Sequence, residues 1–573
     1  MPIIVSRKSL AYATAVRGAV ASGLAVFLEF AIRSAAPLPY APGCLDLLVS
    51  GGLFAVMVVP ALAIACMAPQ FHRTRQLLTA APFALLALNL LLAFGQISRV
   101  FLGVVIVDVA VATGAVVVAL DSRRVVAVGI LPCLLFGLAL RWLPRGTALA
   151  DTRGPSVVLI VLDTTTANHL STYGYGRETS PNLDALARRS IVYRRAISPA
   201  PWTIPAHAAI FSGRYPSELG FEPFGFTDSA AGSIASDLRR SGRPAAGITA
   251  NPILFSQPML EDGFADLWGA RRLTRPFLPR LVDTLLFRRT ALPRGDQVTD
   301  LALDWVDRVA PRGEPWFLFL NYIDPHAPYD PPRDEVERFA PGIDPASVDA
   351  VDYALGTPPE SPEKITALRA LYDGEIATMD RAVGRLLRGL ERRGFDEKNL
   401  LLIVTADHGE ALGENDFFGH LRGLPDTVLH VPLFISGPGV VPGEVSETVQ
   451  TVQLRATVRH LLGLPDLPCL APPLPPWGAA PSLVITEHRE VPFFAEALRA
   501  HYARDVDPWH GDWFAAERDG VKAIFDGRGH GLSYRLHDDP GELHPLPLDD
   551  AAPLVRDYEA WRRTTCAAPG SSG

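Results

Sequence analysis

Long apolar runs dominate the first 145 residues, and shorter ones recur through the rest of the chain. Each early run has roughly 20 residues, the length at which a helix crosses about 30 Å of hydrocarbon. Buried helices of soluble proteins are usually shorter and amphipathic, so we favour membrane spans over that alternative. The pattern predicts an all-α transmembrane bundle of about five helices, with four or six as the alternatives. The predicted spans are Leu10–Ile32, Asp46–Met67, Leu77–Phe94, Phe101–Leu120 and Val125–Leu143.

Basic residues that flank the predicted spans indicate how the bundle is oriented. In a five-span arrangement they are slightly more frequent on the side of the N-terminus, which the positive-inside rule assigns to the cytoplasm. One side carries Arg7, Lys8, Arg73, Arg75, Arg123 and Arg124, and the other carries Arg33, Arg99, Arg141 and Arg145. We therefore expect a multi-pass cell-membrane protein whose catalytic part is extracytoplasmic.

Beyond a linker at residues 146–155, the apolar runs become short and rich in β-branched residues. Such continuous runs are typical of strands buried on both faces of a parallel sheet. The clearest ones are Ser156–Leu162, Trp316–Leu320 and Asn399–Thr405. Between them lie segments with apolar residues at helical spacing, such as Ile365–Arg393. This alternation predicts an α/β domain with a central, mostly parallel sheet between helices.

The last part of the chain has a different pattern. A proline-rich segment predicts a second linker, and it is followed by two or three short strands in Gly511–Asp526 and Ser533–His537. A final helix is expected near Ala551–Arg563, which completes a small C-terminal subdomain. The predicted order is transmembrane region, linker, catalytic domain, linker and C-terminal subdomain, at residues 1–145, 146–155, 156–464, 465–481 and 482–573.

Composition limits the possible partners. A net charge of −8 and the lack of a dominant basic block exclude nucleic-acid binding as a predicted function. Cys44, Cys66 and Cys133 fall in the apolar region, which leaves only Cys469 and Cys566 beyond it. The chain therefore has no cysteine scaffold or cysteine metal motif, and a single bridge between the last two stays open.

A hydroxyl residue lies at the predicted start of a helix in the segment Pro201–Pro216. Thr203 is a favoured N-cap residue, Pro205 is tolerated in a first helical turn, and Gly213 ends the helix. The unpaired N–H groups and the dipole at such a helix start favour an anion such as phosphate or sulfate. An ordinary capped helix is the alternative, and we predict that Thr203 is a nucleophile.

Polar residues follow the predicted strands at the edge where open parallel sheets bind ligands. Asp163 follows the first strand, and Asp407 and His408 follow the third. Two carboxylates and one imidazole, with Thr203 as a further ligand, predict a site for one divalent metal ion. Mixed nitrogen and oxygen ligands favour Zn²⁺ or Mn²⁺, with Ca²⁺ or Mg²⁺ less favoured because they prefer oxygen.

Three histidines are candidates for contact with the substrate. His326 and His420 suit binding of the ester oxygens or protonation of the leaving group, and ordering of a loop is the alternative for both. His207 is the third candidate, for substrate binding. For Thr164, a hydroxyl that supports the ligands and a residue without a role are equal alternatives. Glu410 is suited to capping the segment that follows it, with contact to the substrate as the alternative.

Taken together, these segments resemble the sulfatase and alkaline-phosphatase superfamily from about Val157 to the end of the chain. The motifs that carry the resemblance are the strand into Asp163, Asn182–Ala187, Ser212–Pro216, Asp324–Tyr329, Thr405–Gly413, Val431–Gly439 and Tyr534–Glu542. The resemblance implies an α/β sandwich, a metal ion beneath the nucleophile, and hydrolysis or transfer of sulfate or phosphate esters.

Departures from the family pattern distinguish between its branches. Sulfatases use a Cys or Ser that is oxidised to formylglycine where this chain has Thr203, and an arginine where it has His207. The site is similar to that of membrane-anchored lipoteichoic-acid synthases and phosphoethanolamine transferases, although their first ligand is usually Glu rather than Asp163. This resemblance implies a hydrolase or phosphotransferase that acts on phosphate esters of lipid-linked or envelope substrates at the membrane. A sulfatase without formylglycine and an inactive sulfatase-like binding protein are the alternatives.

The segment Arg271–Arg294 interleaves seven arginines with apolar residues. Such a pattern is typical of a segment that lies on anionic lipid headgroups. A solvated lid helix is the alternative.

Overall fold

The computed structural model of the chain describes residues 154–222, 225–226, 232–254, 258–268, 294–350, 353, 361–421, 423–490 and 511–564. The five predicted membrane spans lie outside these residues, as does Arg271–Arg294 apart from its last residue. Among the described residues, no helix combines the length and the apolar character that a membrane span needs.

The strands in the described part of the chain are numbered in chain order. They are β1 Ser156–Leu162, β2 Ile191–Tyr193, β3 Ala196–Ile197, β4 Phe221–Glu222, β5 Gly225–Phe226, β6 Ala245–Thr249, β7 Asp266–Trp268, β8 Phe317–Tyr322, β9 Leu400–Thr405, β10 Ala411–Leu412, β11 Phe418–Gly419, β12 His430–Val431, β13 Leu433–Ser436, β14 Gly443–Val445, β15 Val449–Gln450, β16 Val484–His488, β17 Trp513–Arg518, β18 Val521–Asp526, β19 Gly531–Arg535 and β20 Leu546–Pro547.

The α-helices are numbered in the same way. They are α1 Pro181–Ala187, α2 Thr203–Ser212, α3 Ile234–Arg240, α4 Pro258–Glu261, α5 Gly295–Val309, α6 Arg333–Phe339, α7 Pro362–Glu391, α8 Asp426–Leu429, α9 Leu454–Leu461 and α10 Ala552–Thr564.

The main sheet has eight strands in the order β14-β2-β13-β9-β1-β8-β6-β7. Strand β1 pairs in parallel with β8 and β9, and β6 pairs in parallel with β7 and β8. Strand β13 runs antiparallel to β9 and to β2, whereas β14 is parallel to β2. Strand β13 is therefore the one reversed strand of this sheet, and the predicted mostly parallel sheet is confirmed.

The three central strands, β1, β8 and β9, have no polar face because the sheet is covered on both sides. Every residue of these strands is buried, which explains their continuous apolar sequences. The register places Val161 beside Asn321 in one neighbour and beside Thr405 in the other. The strands therefore end nearly level, and the residues that follow them meet at one edge of the sheet.

The helices form two groups, and the helices of each group pack against one another. Helix α7 packs against α1, α5 and α6, and helix α2 packs against α3 and α9. Helix α7 begins after Ser361, whose hydroxyl accepts a hydrogen bond from the Lys364 N–H, and it is followed by Gly394 at φ +84°. The predicted helix over Ile365–Arg393 is thus confirmed, with its start three residues earlier and its end two residues earlier.

A second sheet of five antiparallel strands, in the order β16 to β20, lies near the end of the chain. Helix α10 covers it, and Tyr558 of this helix packs against Phe514 and Phe525 of the sheet. The predicted short strands correspond to β17, β18 and β19. Strands β16 and β20 were missed because their short sequences form strands only by pairing with neighbours.

Residues 465–481 form no helix or strand, as a linker would, but they are packed against the domain. The Leu474 side chain is fully buried, and the Gln453 side-chain amide donates hydrogen bonds to the carbonyl oxygens of Pro472 and Ala479. This proline-rich segment is therefore an ordered connection rather than a free tether.

Candidate active site

The predicted metal ligands meet at the carboxyl edge of the main sheet. Asp163 follows β1 and Asp407 and His408 follow β9, and one ligand atom from each lies within 4.8 Å of the others. All three side chains are completely buried. The structure thus brings together the three residues that were predicted from separate strands.

The three ligand atoms have no hydrogen-bond partner. Asp163 Oδ1, Asp407 Oδ2 and His408 Nε2 are all buried and unpartnered, with 3.4 Å between the last two. A buried polar atom without a partner costs about 1–3 kcal/mol, so three that converge require an explanation. Two carboxylate oxygens and one imidazole nitrogen are suitable ligands for a divalent metal ion, and the residues present therefore fit the metal that the family resemblance implies.

Backbone groups orient Asp407 and His408. Asp407 Oδ1 accepts hydrogen bonds from the N–H groups of Thr164 and His408, at 3.3 and 2.9 Å. His408 Nδ1 lies 2.9 Å from the Gly409 carbonyl oxygen, which can only accept. His408 therefore carries its proton on Nδ1 and presents an unprotonated Nε2, the form that binds metals.

Gly409 is required by the close packing of this loop. A Cβ atom at this position would lie 2.4 Å from the Thr427 carbonyl oxygen, and the Gly409 N–H donates to the Val428 carbonyl at 2.6 Å. Any larger residue would push apart the two segments that carry His408 and Thr427.

The turn after Asp163 has a strained backbone. Thr164 has φ +53°, a conformation that costs a β-branched residue about 1–3 kcal/mol. The Tyr372 hydroxyl holds this turn, because it donates to the Thr164 carbonyl at 2.6 Å and accepts from the Thr166 N–H at 3.1 Å. Thr164 thus supports the site through its backbone N–H to Asp407, whereas its own hydroxyl has no partner.

Two asparagines that the sequence prediction missed hold Asp163. The side-chain amides of Asn251 and Asn321 donate to Asp163 Oδ2 at 2.9 and 3.1 Å. Asn321 follows the predicted strand Trp316–Leu320, so the sequence contained a signal for it. Asn251 follows β6, a strand with two alanines and a glycine that was not predicted.

Thr203 is the first residue of α2, and its side chain is nearly buried. The predicted N-cap assignment is wrong by one position, because Trp202 has the extended φ and ψ of a cap at −150° and 165°. Gly213 ends the helix at φ +70°, as predicted. Thr203 still lies in the first turn, where the backbone N–H groups have no helical partners.

His207 connects α2 to the metal ligands. Its Nδ1 lies 2.9 Å from the Thr203 carbonyl oxygen and 3.3 Å from Asp407 Oδ2. The first turn of α2 therefore adjoins the ligand cluster. The other ring nitrogen of His207 is buried without a partner. Its predicted contact with substrate stays a prediction.

His326 and His420 lie beside the ligands. The His420 ring is 4.5 Å from that of His408 and 5.4 Å from that of His326, measured between ring centroids. His326 Nδ1 lies 2.7 Å from the Ala327 carbonyl oxygen, so this ring is oriented by its own loop. His420 Nδ1 lies 3.0 Å from Glu410 Oε1, and Glu410 is therefore a partner of His420 rather than only a cap.

Burial and charge shift the pKa values of these groups in different directions. Burial raises the pKa of Glu410 to about 7 and lowers that of His420 to about 3. Burial opposes ionisation of Asp407, yet the neighbouring His408 and His207 hold its pKa well below the ordinary value. Asp407 is thus an anion in the folded protein, as a metal ligand must be.

The fold and this site define a class. A mostly parallel sheet that carries two buried carboxylates and an imidazole, beside a helix that begins with a hydroxyl residue, is the framework of a metal-dependent hydrolase. The family model described as Sulfatase matches residues 155–239 and 266–464. The chain therefore belongs to the sulfatase family.

Individual proteins are similar to this chain at a lower level. An arylsulfatase from Clostridium perfringens is 25% identical over an alignment of 340 residues, and the alignment covers 50% of this chain and 69% of the relative. A choline-sulfatase from Rhizobium meliloti is 24% identical over an alignment of 427 residues, and the alignment covers 65% of this chain and 79% of the relative. A phosphonate monoester hydrolase structure from Silicibacter pomeroyi shares the fold, with a TM-score of 0.53, 22% identity, and coverage of 71% of this chain and 94% of that chain.

Proposed function

We propose that this sulfatase-family hydrolase acts on phosphate esters, as a hydrolase or a phosphotransferase, with Thr203 as its nucleophile. The observation that carries the proposal is the hydroxyl residue in the first turn of α2, next to His207 and the ligand cluster. A threonine cannot be oxidised to formylglycine, because its Cβ carries a methyl group. A direct attack by the hydroxyl oxygen is therefore the chemistry that this position supports.

In the proposed reaction, Thr203 Oγ attacks phosphorus and loses its proton to water, while the bond to the leaving oxygen breaks. His326 binds the ester oxygens or protonates the leaving group, and His420, which is neutral because burial lowers its pKa to about 3, binds the ester oxygens. A divalent ion held by Asp163, Asp407 and His408 would lower the pKa of the Thr203 hydroxyl and offset the charge of the ester. Water then releases phosphate from Thr203 in a hydrolase, and an acceptor hydroxyl takes it in a transferase.

A sulfatase that works without formylglycine is the second candidate. The curated relatives named as an arylsulfatase and a choline-sulfatase favour it. The reaction would be the same attack by Thr203, directed at sulfur in place of phosphorus. The two candidates differ in the ester that is consumed, which one comparison of matched substrates can decide.

We further propose that the site faces the outside of a membrane and takes a lipid-linked or envelope substrate. The five predicted spans in residues 1–145 support this location. The structure also has Cys469 in a disulfide bond, which is typical of oxidising compartments.

The test is intact-mass analysis of the full-length chain, purified in detergent and supplied with Zn²⁺ or Mn²⁺. The protein is mixed briefly with a phosphodiester donor or the matching sulfate ester, quenched in acid, and digested to locate any adduct. A phosphate adduct on Thr203 together with donor consumption would support the proposal. Consumption of the sulfate ester alone would favour the second candidate, and consumption of neither would leave a binding role.

Thr203→Ala is the matched variant for this experiment. It should lose turnover and the adduct but keep bound metal, because the three other ligands remain. Thr203→Ser restores a hydroxyl at the same place and should recover part of the activity. Full turnover in Thr203→Ala would exclude Thr203 as the nucleophile.

A further inference from the structure

Two amide groups occupy one oxygen of Asp163 and leave the other free. Asn251 Nδ2 and Asn321 Nδ2 both donate to Oδ2, whereas Oδ1 has no partner. Asn321 and Asp163 are completely buried, and Asn251 is 3% exposed. Water therefore cannot easily replace either amide, and the carboxylate is held in one orientation.

The amides are themselves oriented by partners of their oxygens. The Thr249 hydroxyl donates to Asn321 Oδ1 at 2.8 Å, and the Ile253 N–H donates to Asn251 Oδ1 at 3.1 Å. The ionised Asp163 Oδ2 can only accept, and a flipped amide would place its oxygen against it, so both NH₂ groups must face Asp163. The arrangement is a specific one and not an accident of side-chain placement.

Asp407 is restricted in the same way by different groups. Its Oδ1 accepts from two backbone N–H groups, those of Thr164 and His408, and only Oδ2 is unpartnered. Each carboxylate of the site can therefore offer one oxygen to a cation without breaking existing hydrogen bonds.

We propose that Asn251 and Asn321 are positioning residues that make the site selective for a transition-metal ion over Ca²⁺. Calcium takes 6–8 oxygen ligands and often binds both oxygens of a carboxylate, whereas zinc is satisfied by about four ligands. With one oxygen from Asp163, one from Asp407, the predicted Thr203 oxygen and a nitrogen from His408, the protein supplies fewer oxygens than Ca²⁺ takes. Removal of either amide leaves Asp163 Oδ2 with a single donor and relaxes this restriction.

This inference rests on the metal site of the proposed function but not on its nucleophile or its substrate. Its readout is therefore metal binding alone. The full-length chain in detergent is stripped with a chelator and dialysed against equal concentrations of Zn²⁺, Mn²⁺ and Ca²⁺. Bound metal per chain is then measured by elemental analysis, and each affinity by titration.

The parent protein should bind Zn²⁺ or Mn²⁺ in preference to Ca²⁺. Asn251→Ala and Asn321→Ala should each weaken transition-metal binding by about 10–100-fold, the usual effect of losing a partner of a ligand. Binding of Ca²⁺ should stay the same or strengthen, so that the ratio of the two affinities falls. Thr249→Val keeps both amides and removes the hydroxyl that donates to Asn321 Oδ1 and accepts from the Asn251 N–H. It should shift the ratio in the same direction by less.

Asn182→Ala is the control. Asn182 also donates its side-chain amide to a buried carboxylate, Asp380 Oδ2 at 2.7 Å, outside the ligand cluster. This variant should lose a similar hydrogen bond and keep the metal preference of the parent.

Unchanged metal ratios in Asn251→Ala, Asn321→Ala and Thr249→Val would overturn the inference, as would a parent protein that prefers Ca²⁺. If the asparagine variants fail to fold, the milder Thr249→Val carries the test. A parent protein that binds none of the three ions would overturn the metal site and the proposed function together. A parent that binds Zn²⁺, with variants that keep its preference, would overturn the selectivity role alone.

Discussion

Two buried polar clusters in this protein differ in how completely their atoms are paired. At the edge of the main sheet, Asp163, Asp407 and His408 each leave one ligand atom without a partner. Around Lys522, between the C-terminal sheet and α8, the charges are matched by ion pairs and hydrogen bonds. The unpartnered atoms of the first cluster are suited to bind a metal ion, whereas the charges of the second cluster are paired within the folded chain.

The Lys522 cluster is a buried network whose charges are paired within the folded chain. Lys522 Nζ donates to Asp426 Oδ1, Glu542 Oε1 and the Leu424 carbonyl at 2.6–2.8 Å, which uses its three protons. Asp426 Oδ2 accepts from Arg195 at 2.5 Å. The network fixes the segment that follows His420 to the C-terminal sheet, and its role is structural.

The largest expected effect is at the cluster of Asp163, Asp407 and His408. Asp407→Ala should remove a candidate metal ligand and the acceptor of the Thr164 and His408 N–H groups. Turnover and metal affinity should both fall by more than the about 100-fold that loss of a supporting partner causes. Elemental analysis beside an assay with the preferred ester checks this. Metal bound at the parent level would show that Asp407 is not a ligand.

The next largest effect concerns the Lys522 cluster. Lys522→Ala leaves Asp426 and Glu542 buried without their cation and should destabilise the protein by about 3–5 kcal/mol. Thermal unfolding of the full-length chain measures the change. Arg518→Ala is the control, because its ion pair with Asp557 is partly exposed and should contribute only about 0–1 kcal/mol. Equal effects of the two variants would contradict the distinction between buried and exposed pairs.

Glu375 is a buried carboxyl group near other acidic groups, and it belongs to neither of the two clusters. Burial, and then the charge of Asp324, raise the pKa of Glu375 from 4.5 to about 8. The folded protein therefore binds the proton more tightly than the unfolded chain, and stability should fall as the pH rises from about 4.5 to about 8.

Glu375→Gln keeps an oxygen that accepts from the Asp330 N–H and removes the titration. The variant should lose less stability than the parent between pH 5 and pH 8, by up to a few kcal/mol at about 1.4 kcal/mol per pKa unit. Melting temperatures measured across this range check the prediction. Parallel pH profiles for parent and variant would mean that Glu375 does not titrate as described.

The smallest expected effect is at Tyr372, a residue of α7 that supports the cluster of Asp163, Asp407 and His408 through the turn after Asp163. Tyr372→Phe removes the hydroxyl that holds the Thr164 turn and should cost about 1 kcal/mol of stability. Metal affinity should fall less than in the Asp407 variant, because the Thr164 N–H is loosened but not removed. A loss of stability with no change in metal affinity would show that the turn is held without this hydroxyl.

Much of the catalytic edge was predictable because its signals are local. Strands β1 and β9 are continuous apolar runs, and Asp163, Asp407 and His408 follow them directly in the chain. The helix over α7 was equally clear from its apolar spacing. The fold class and the three candidate ligands were therefore predictable from short patterns of neighbouring residues.

The supporting groups were not predictable in this way. Strand β6 consists of Ala245–Thr249, a sequence with weak strand preference, and it forms because β7 and β8 pair with it. Asn251 depends on that strand for its position. Tyr372 is one of many apolar positions in a long helix, and nothing in its neighbours marks it as the partner of Thr164.

The sequence by itself determined the alternation of strands and helices, the chemical identity of the ligands and their place after buried strands, because residue period and type act over a few positions. Tertiary structure decided which polar atoms remain unpartnered. Asn251 and Asp163 are 88 residues apart, and Tyr372 and Thr164 are 208 apart. Hydrogen bonds over such separations exist only once the sheet has assembled, and they select the single oxygen that each carboxylate offers.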